Sequence, residues 1–143
     1  MKKFKFDLQE ILDYRKYEEQ QAQIELGKAL AVENEIQENL NTIARQYAEL
    51  NASMKNSRNF EDILAQNRNI NLLNYQKEEL LEQLAAAKIE TEEKRQVLQE
   101  IMKKTTSLEK VREQEAAEYT DAAEAEEENE VEDLTTTRYK FQS

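Results

Sequence analysis

The sequence predicts an all-α protein, an antiparallel two-helix coiled-coil hairpin with an overhanging acidic C-terminal helix. Three observations support this fold class. Apolar residues recur at alternating spacings of three and four, the pattern of a coiled-coil seam. The 143 residues include one glycine and no proline, the two residues that punctuate most compact folds. Ala, Glu, Lys, Leu and Arg make up more than half of the chain, a composition typical of long helices.

The first helix is predicted over about residues 5–55. Its seam positions are Leu8, Leu12, Arg15, Glu19, Ala22, Leu26, Ala29, Glu33, Ile36, Leu40, Ile43, Tyr47, Leu50 and Met54. The three charged members either fix the register or leave the seam loose and partly hydrated, and the second alternative is preferred. Gly27 lies outside the seam and is expected to be tolerated inside the helix, at roughly 1 kcal/mol relative to alanine.

A polar stretch over residues 55–59 interrupts the apolar pattern. Ser57 or Asn59 could cap a new helix that begins near Phe60. The stretch is either a loop or a short break in one helix. A turn over about residues 56–60 is preferred, because it lets the two apolar seams meet.

The second helix is predicted over about residues 61–141. Its seam positions are Ile63, Gln66, Ile70, Leu73, Lys77, Leu80, Leu84, Ala87, Thr91, Lys94, Leu98, Ile101, Thr105 and Leu108. The pattern changes phase after Leu108, so the supercoil should loosen there. Folding back at the turn brings Leu8 near position 109. The chain is therefore expected to be a single rod, and residues past about 113 should overhang without an intramolecular partner.

Acidic residues are concentrated in this overhang. The net charge is −11, and residues 113–133 hold eleven acidic side chains and no basic one, so the remainder is neutral. Like charges four residues apart, such as Glu124 and Glu128, should make this helix fray easily. The block disfavours nucleic acid and anionic lipid as partners. It is either a solvated helix face or an arm for a basic partner.

The composition also excludes several classes of function. The chain has no histidine and no cysteine, so nucleophilic triads, disulfides and ordinary zinc sites are excluded. We expect no enzymatic activity and no cofactor. A carboxylate-only enzyme would need an enclosed cleft, which a two-helix rod does not provide. No apolar run approaches 20 residues, so direct membrane insertion is not expected, and the basic start lacks an apolar signal core. These features indicate a cytoplasmic protein.

Both ends of the sequence carry recognisable motifs. The start reads Phe4-x-Phe6-x-Leu8-x-x-Ile11-Leu12-x-x-Arg15-x-x-Glu18. Near the end, Leu108-Glu109-Lys110-Val111-Arg112-Glu113 precedes Tyr119, and the closing segment is Glu130-x-Glu132-Asp133-Leu134-x-x-x-Arg138-Tyr139-x-Phe141. This arrangement resembles the flagellar export protein family FliJ. The chain departs from the family pattern in one respect, because family members usually mix basic residues into the segment that is wholly acidic here.

The resemblance implies a cytoplasmic component of the bacterial flagellar type III export apparatus, and so a role in motility and chemotaxis. Proteins of this family are coiled coils similar to the central stalk of rotary ATPases. The implied partners are the hexameric export ATPase, its regulator, the cytoplasmic domain of the membrane export gate, and the export chaperones that the family escorts. The implied location is the cytoplasmic side of the cell membrane, through peripheral association with this apparatus.

Two surfaces are candidate binding sites. The ATPase surface would comprise Phe4, Phe6, Leu8, Leu134, Tyr139 and Phe141. Alternatively, Phe4 and Phe6 pack locally onto the second helix near residues 111–116. The export-gate surface would comprise Leu72, Tyr75 and Leu81, which alternatively only broaden the seam.

Two other functional interpretations remain open from the sequence. One is the stalk protein of a virulence type III secretion system, which shares the rod and the ATPase partner. The other is a generic coiled-coil scaffold that oligomerises through its seam. The paired terminal motifs favour the flagellar interpretation over a generic scaffold, and the Phe-x-Phe start favours it over the virulence stalk protein.

Overall fold

The structure is a computed structural model that describes residues 2–56 and 59–142, without the side chains of residues 140–142. It consists of two long helices packed against each other, α1 (Gln9–Lys55) and α2 (Phe60–Gln142). The described residues contain no strand. The all-α hairpin predicted from the sequence is therefore confirmed.

Helix α1 begins at Gln9, four residues later than predicted. Residues 2–6, which we name the N-terminal arm, are not helical. The first turn of α1 is marked by the Gln9 amide, which donates to the Phe6 carbonyl at 3.0 Å. The predicted start was wrong because it placed residues before the first seam position, Leu8, in the helix. Phe4 and Phe6 lie two residues apart, and a helix would direct them about 200° apart, whereas a non-helical segment lets both face α2.

The helices are separated at the polar stretch, as predicted. Asn59 caps α2, since its side-chain Oδ1 accepts a hydrogen bond from the Glu61 amide at 3.1 Å. Its carbonyl also accepts from the Ile63 amide at 3.1 Å. Such a cap satisfies amide groups that the first turn leaves unpaired. Ser57, the other candidate cap, lies outside the described residues.

The chain forms two compact units, one of residues 21–99 and one of residues 1–20 with 100–143. In the first unit, the side chains of α1 and α2 that are not exposed all belong to the predicted seam. Two predicted seam residues of this unit, Tyr47 and Lys77, are exposed instead. The antiparallel pairing near the turn is marked by the Gln66 amide group, which donates to the Ser53 hydroxyl at 3.4 Å.

Small and polar residues sustain the seam where large apolar ones are missing. Ala22 and Ala29 are buried in α1, and Thr91 is the buried polar residue of α2 in this unit. The Thr91 hydroxyl donates to the Ala87 carbonyl at 3.0 Å, so it is satisfied without a partner on α1. A threonine can thus place its methyl group in the seam without leaving a buried hydroxyl group unpaired.

The second unit pairs the start of the chain with the end of α2, again antiparallel. Leu12, Phe6 and Thr105 are its buried residues, and the Thr105 hydroxyl donates to the Ile101 carbonyl at 3.0 Å. Arg15 lies half-buried in this seam and forms an ion pair with Glu18 at 2.7 Å. A charged seam residue is thereby neutralised within its own helix, consistent with a seam that is partly hydrated.

The predicted phase shift after Leu108 is confirmed. The next half-buried residues of α2 are Ala116, Tyr119 and Ala123. Ala116 and Ala123 each lie one position away from the earlier heptad frame, whereas Tyr119 still falls in it. The N-terminal arm lies against this part of α2. The overhang therefore starts after Ala123, about ten residues later than the sequence predicted. The reason is the non-helical arm, which advances about 3.3 Å per residue when extended and so can cover more of α2 than helical residues would.

Replacing Gly27 by alanine should stabilise the protein. Gly27 lies inside α1, its backbone does not need a glycine, and a Cβ built there meets no atom within 4 Å. The expected gain in the free energy of unfolding is about 0.5–1 kcal/mol, from the lower entropy of the unfolded chain. Urea denaturation followed by circular dichroism would measure it. The reverse change at a nearby exposed position, Ala31→Gly, should lose a similar amount, and equal stability in all three proteins would contradict the interpretation.

Candidate protein-binding surfaces

The N-terminal arm packs onto α2 through two aromatic side chains. The ring centroids of Phe4 and Tyr119 lie 5.5 Å apart, with their planes inclined by 51°. Phe6 is only 7% exposed. Tilted aromatic pairs at this distance contribute roughly 0.5–1.5 kcal/mol beyond the area that they bury. Aromatic packing is therefore the main attachment of the arm to α2.

Polar contacts next to the arm set its position along α2. The Arg112 guanidinium donates through Nε to the Gln9 side-chain oxygen at 3.0 Å. Lys16 and Glu109 form an ion pair at 3.9 Å. Both contacts are exposed, and exposed ion pairs contribute little to stability. Their effect is to fix the register in which the arm meets Tyr119.

The structure thus contains the local packing that was one of the two alternatives for Phe4 and Phe6. The partner of Phe4 is Tyr119, slightly beyond the expected residues 111–116. Leu8 lies in the turn before α1 and is partly exposed. An incoming partner would have to displace the arm before it could contact the whole surface of either phenylalanine.

The C-terminal members of the same predicted surface are separate from the arm. Every described side chain from 124 to 139 is exposed, including Leu134 at 66% and Tyr139 at 77%. Leu134 lies fifteen residues beyond Tyr119, which corresponds to roughly 22 Å along the helix. The side chain of Phe141 lies outside the described residues. The structure therefore does not bring Leu134 or Tyr139 next to Phe4.

The three residues of the predicted gate surface lie on different sides of α2. Leu72 and Leu81 are nine residues apart, so they point in directions that differ by about 180° around the helix. Each lines a different groove beside the seam. Tyr75 is exposed, and its pKa is raised by a hydrogen bond to the Glu79 carboxylate and by the negative charge of that group. These three side chains do not form one continuous patch.

The groove at Leu81 is a feature that the sequence interpretation missed. It has a volume of about 590 Å³ and is lined by apolar residues of both helices, among them Leu40, Ala44 and Leu84. Tyr47 and Lys77, the two exposed seam residues of this unit, also line it. A tyrosine and a lysine at nearby positions in a locally apolar part of the seam were the signal that could have revealed it. The helices leave a partly apolar recess where these two side chains turn outward.

The described residues show neither a membrane helix nor a metal centre. Over this part of the chain, no helix is both long and apolar enough to span a bilayer. Among the same residues, no group of carboxylates is arranged to hold a metal ion.

The fold and these surfaces define a class of protein, a helical hairpin with exposed helix faces and shallow grooves. The chain belongs to the FliJ family, because the family model described as Flagellar FliJ protein matches residues 4–142, nearly its whole length. This membership confirms the resemblance seen in the terminal motifs and gives the protein a role related to flagellar export. No curated protein matches the chain, and no solved structure does.

Removing the Tyr119 ring should destabilise the unit that contains the arm. Tyr119→Ala is expected to lower the free energy of unfolding by about 1–2 kcal/mol, because it removes the ring pair and part of the buried area. Tyr139→Ala is the matched control, since Tyr139 is exposed and its loss should change stability by less than about 0.5 kcal/mol. Chemical denaturation of both variants would measure the difference. Equal effects would show that the contact with Phe4 does not stabilise the fold.

Proposed function

We propose that this protein is a stalk-like, non-catalytic component of the flagellar type III export apparatus that acts in the cytoplasm. In this role it binds the hexameric export ATPase, the ATPase regulator and the cytoplasmic domain of the export gate, and it escorts export chaperones. Its association with the cell membrane is peripheral and goes through the apparatus. The match to the FliJ family over residues 4–142 is the observation that carries the proposal.

The proposed ATPase-binding surface consists of the two terminal sets of residues. Leu134 and Tyr139 are exposed on α2 and can contact a partner directly. Phe141 continues the same segment. Phe4 and Phe6 act through the position of the arm, because they are packed and not free. Leu8, which is partly exposed in the turn after the arm, is a proposed contact in its own right. Exposed large apolar side chains on a helix without a covering neighbour are typical of a protein-binding surface.

The proposed gate-binding surface lies in the unit of residues 21–99. Leu72, Tyr75 and Leu81 were the predicted contacts, and their different directions mean that a single flat partner surface cannot cover all three. Leu81 lines the larger groove, where apolar walls from both helices are accessible. A helical or extended segment of the gate can place an apolar side chain there, as in other groove-binding complexes. We therefore assign the principal gate contact to the groove at Leu81.

The first test is the hydrolysis rate of the export ATPase with and without this protein, combined with co-elution on a sizing column. We expect co-elution and a higher rate. Leu134→Ala should raise the concentration needed for half-maximal stimulation roughly tenfold, the effect of one central interface residue. Leu64→Ala, at an exposed leucine near the start of α2, is the matched control and should leave it unchanged. A folded protein that neither binds nor stimulates the ATPase would refute the proposed role.

The second test concerns the export gate. Leu81→Asp should weaken binding to the cytoplasmic domain of the gate at least tenfold, since it places a charge in an apolar recess. Leu72→Asp introduces the same charge on the opposite side of α2 and should have a much smaller effect. Isothermal titration calorimetry of the two variants with the cytoplasmic domain of the gate would measure the two affinities. If Leu72→Asp were the more damaging change, the gate would bind at the other groove.

A further inference from the structure

The N-terminal arm is attached to α2 by side chains and not by a regular backbone network. It belongs to no helix or strand, and the backbone hydrogen bond from Gln9 to the Phe6 carbonyl lies at its end. Phe4 against Tyr119 and the burial of Phe6 hold it in place. A segment attached in this way can leave the surface without breaking any part of the helical hairpin.

The arm and the helix beneath it carry opposite charges. Lys2, Lys3 and Lys5 are exposed and alternate with the packed phenylalanines. Within the described part of the chain, none of these lysines forms an ion pair. Tyr119 lies within the acidic block of residues 113–133, with Glu115 and Glu118 within about one helical turn. Attraction between exposed lysines and carboxylates is screened by salt over about 10 Å at 0.1 M.

We propose that the N-terminal arm is a reversible strap that covers the Tyr119 face of α2, and that a basic partner surface docking on the acidic end of α2 releases it. The proposal rests on the proposed function, because the partner in question is the export ATPase. The cations of the partner take the place of Lys2, Lys3 and Lys5 beside the carboxylates. Release then uncovers the Tyr119 face of α2, on the same helix as the exposed Leu134.

The strap makes the free protein a weaker binder than its uncovered form. If the covered state predominates, the apparent affinity for the partner is reduced by the fraction of molecules that are uncovered. Weakening the strap should therefore strengthen ATPase binding. A direct contact made by the arm would have the opposite effect, so the sign of the change separates the two roles.

The absence of tryptophan from the chain allows the strap to be observed directly. Phe4→Trp places a single indole against Tyr119. In the isolated protein we expect its emission to shift to the red as NaCl is raised from 50 to about 500 mM, since screening weakens the attachment. In low salt, addition of the ATPase should produce the same shift. The emission of a mixture of the ATPase with the unsubstituted protein is subtracted, so that only the emission of the introduced tryptophan is compared. An emission maximum that moves in neither experiment would overturn the proposal.

The affinity test uses two variants with the same change in net charge. The triple variant K2Q/K3Q/K5Q should bind the ATPase roughly three- to tenfold more tightly than the unsubstituted protein. The control K28Q/K55Q/K88Q removes three exposed lysines from the other unit and should leave the affinity unchanged or alter it less. Weaker binding by K2Q/K3Q/K5Q alone would show that the arm is a direct contact and would overturn the strap. If the unsubstituted protein did not bind the ATPase, the proposed function would fail, while the salt-dependent emission would still test closure of the arm.

Discussion

The structure depends on one constraint, which is that each helix has a single apolar stripe and only another helix can cover it. In the unit of residues 21–99, the side chains of α1 and α2 that are not exposed all lie on these stripes, so the other faces of both helices are exposed. The interior is one layer of contacts, with Ile36, Ile43 and Leu73 as its large buried residues. Each seam residue therefore buries a modest apolar area, and the same kind of contact recurs along both helices. Where a stripe is interrupted, as at Tyr47 and Lys77, a groove opens, because no second layer of residues lies behind it.

The fold could be predicted from the sequence because residues close together in the sequence define the apolar seam of each helix. Spacings of three and four fix which side chains meet, and neither glycine nor proline competes with helix formation. The prediction failed at the start of α1, where Phe4 and Phe6 follow a spacing of two that a heptad frame does not register. Their burial against α2 depends on residues more than one hundred positions away. Such a long-range pairing leaves no periodic signal in a single sequence.

The candidate surfaces were harder to predict than the fold, for a related physical reason. Whether a residue belongs to a seam can be predicted from the sequence of one helix. The position of a groove also depends on how both helices are oriented about their axes. Leu72 and Leu81 are both apolar residues outside the seam, yet half a helical rotation separates them, and they line different grooves. The terminal residues were predicted as one candidate surface. Their division into a packed pair, Phe4 and Phe6, and exposed residues such as Leu134 follows from how far the non-helical arm reaches along α2.

The unbroken acidity of residues 113–133 has a consequence for encounters between identical molecules. The end of α2 exposes Val131, Leu134 and Tyr139, which in a neutral helix would favour self-association into bundles. Two such ends approaching each other bring together the carboxylates of residues 113–133, a stretch without a cation, so the encounter is repelled before the apolar side chains can meet. The same side chains remain accessible to a surface of opposite charge. The acidic block thus disfavours self-association through the apolar side chains at this end of α2.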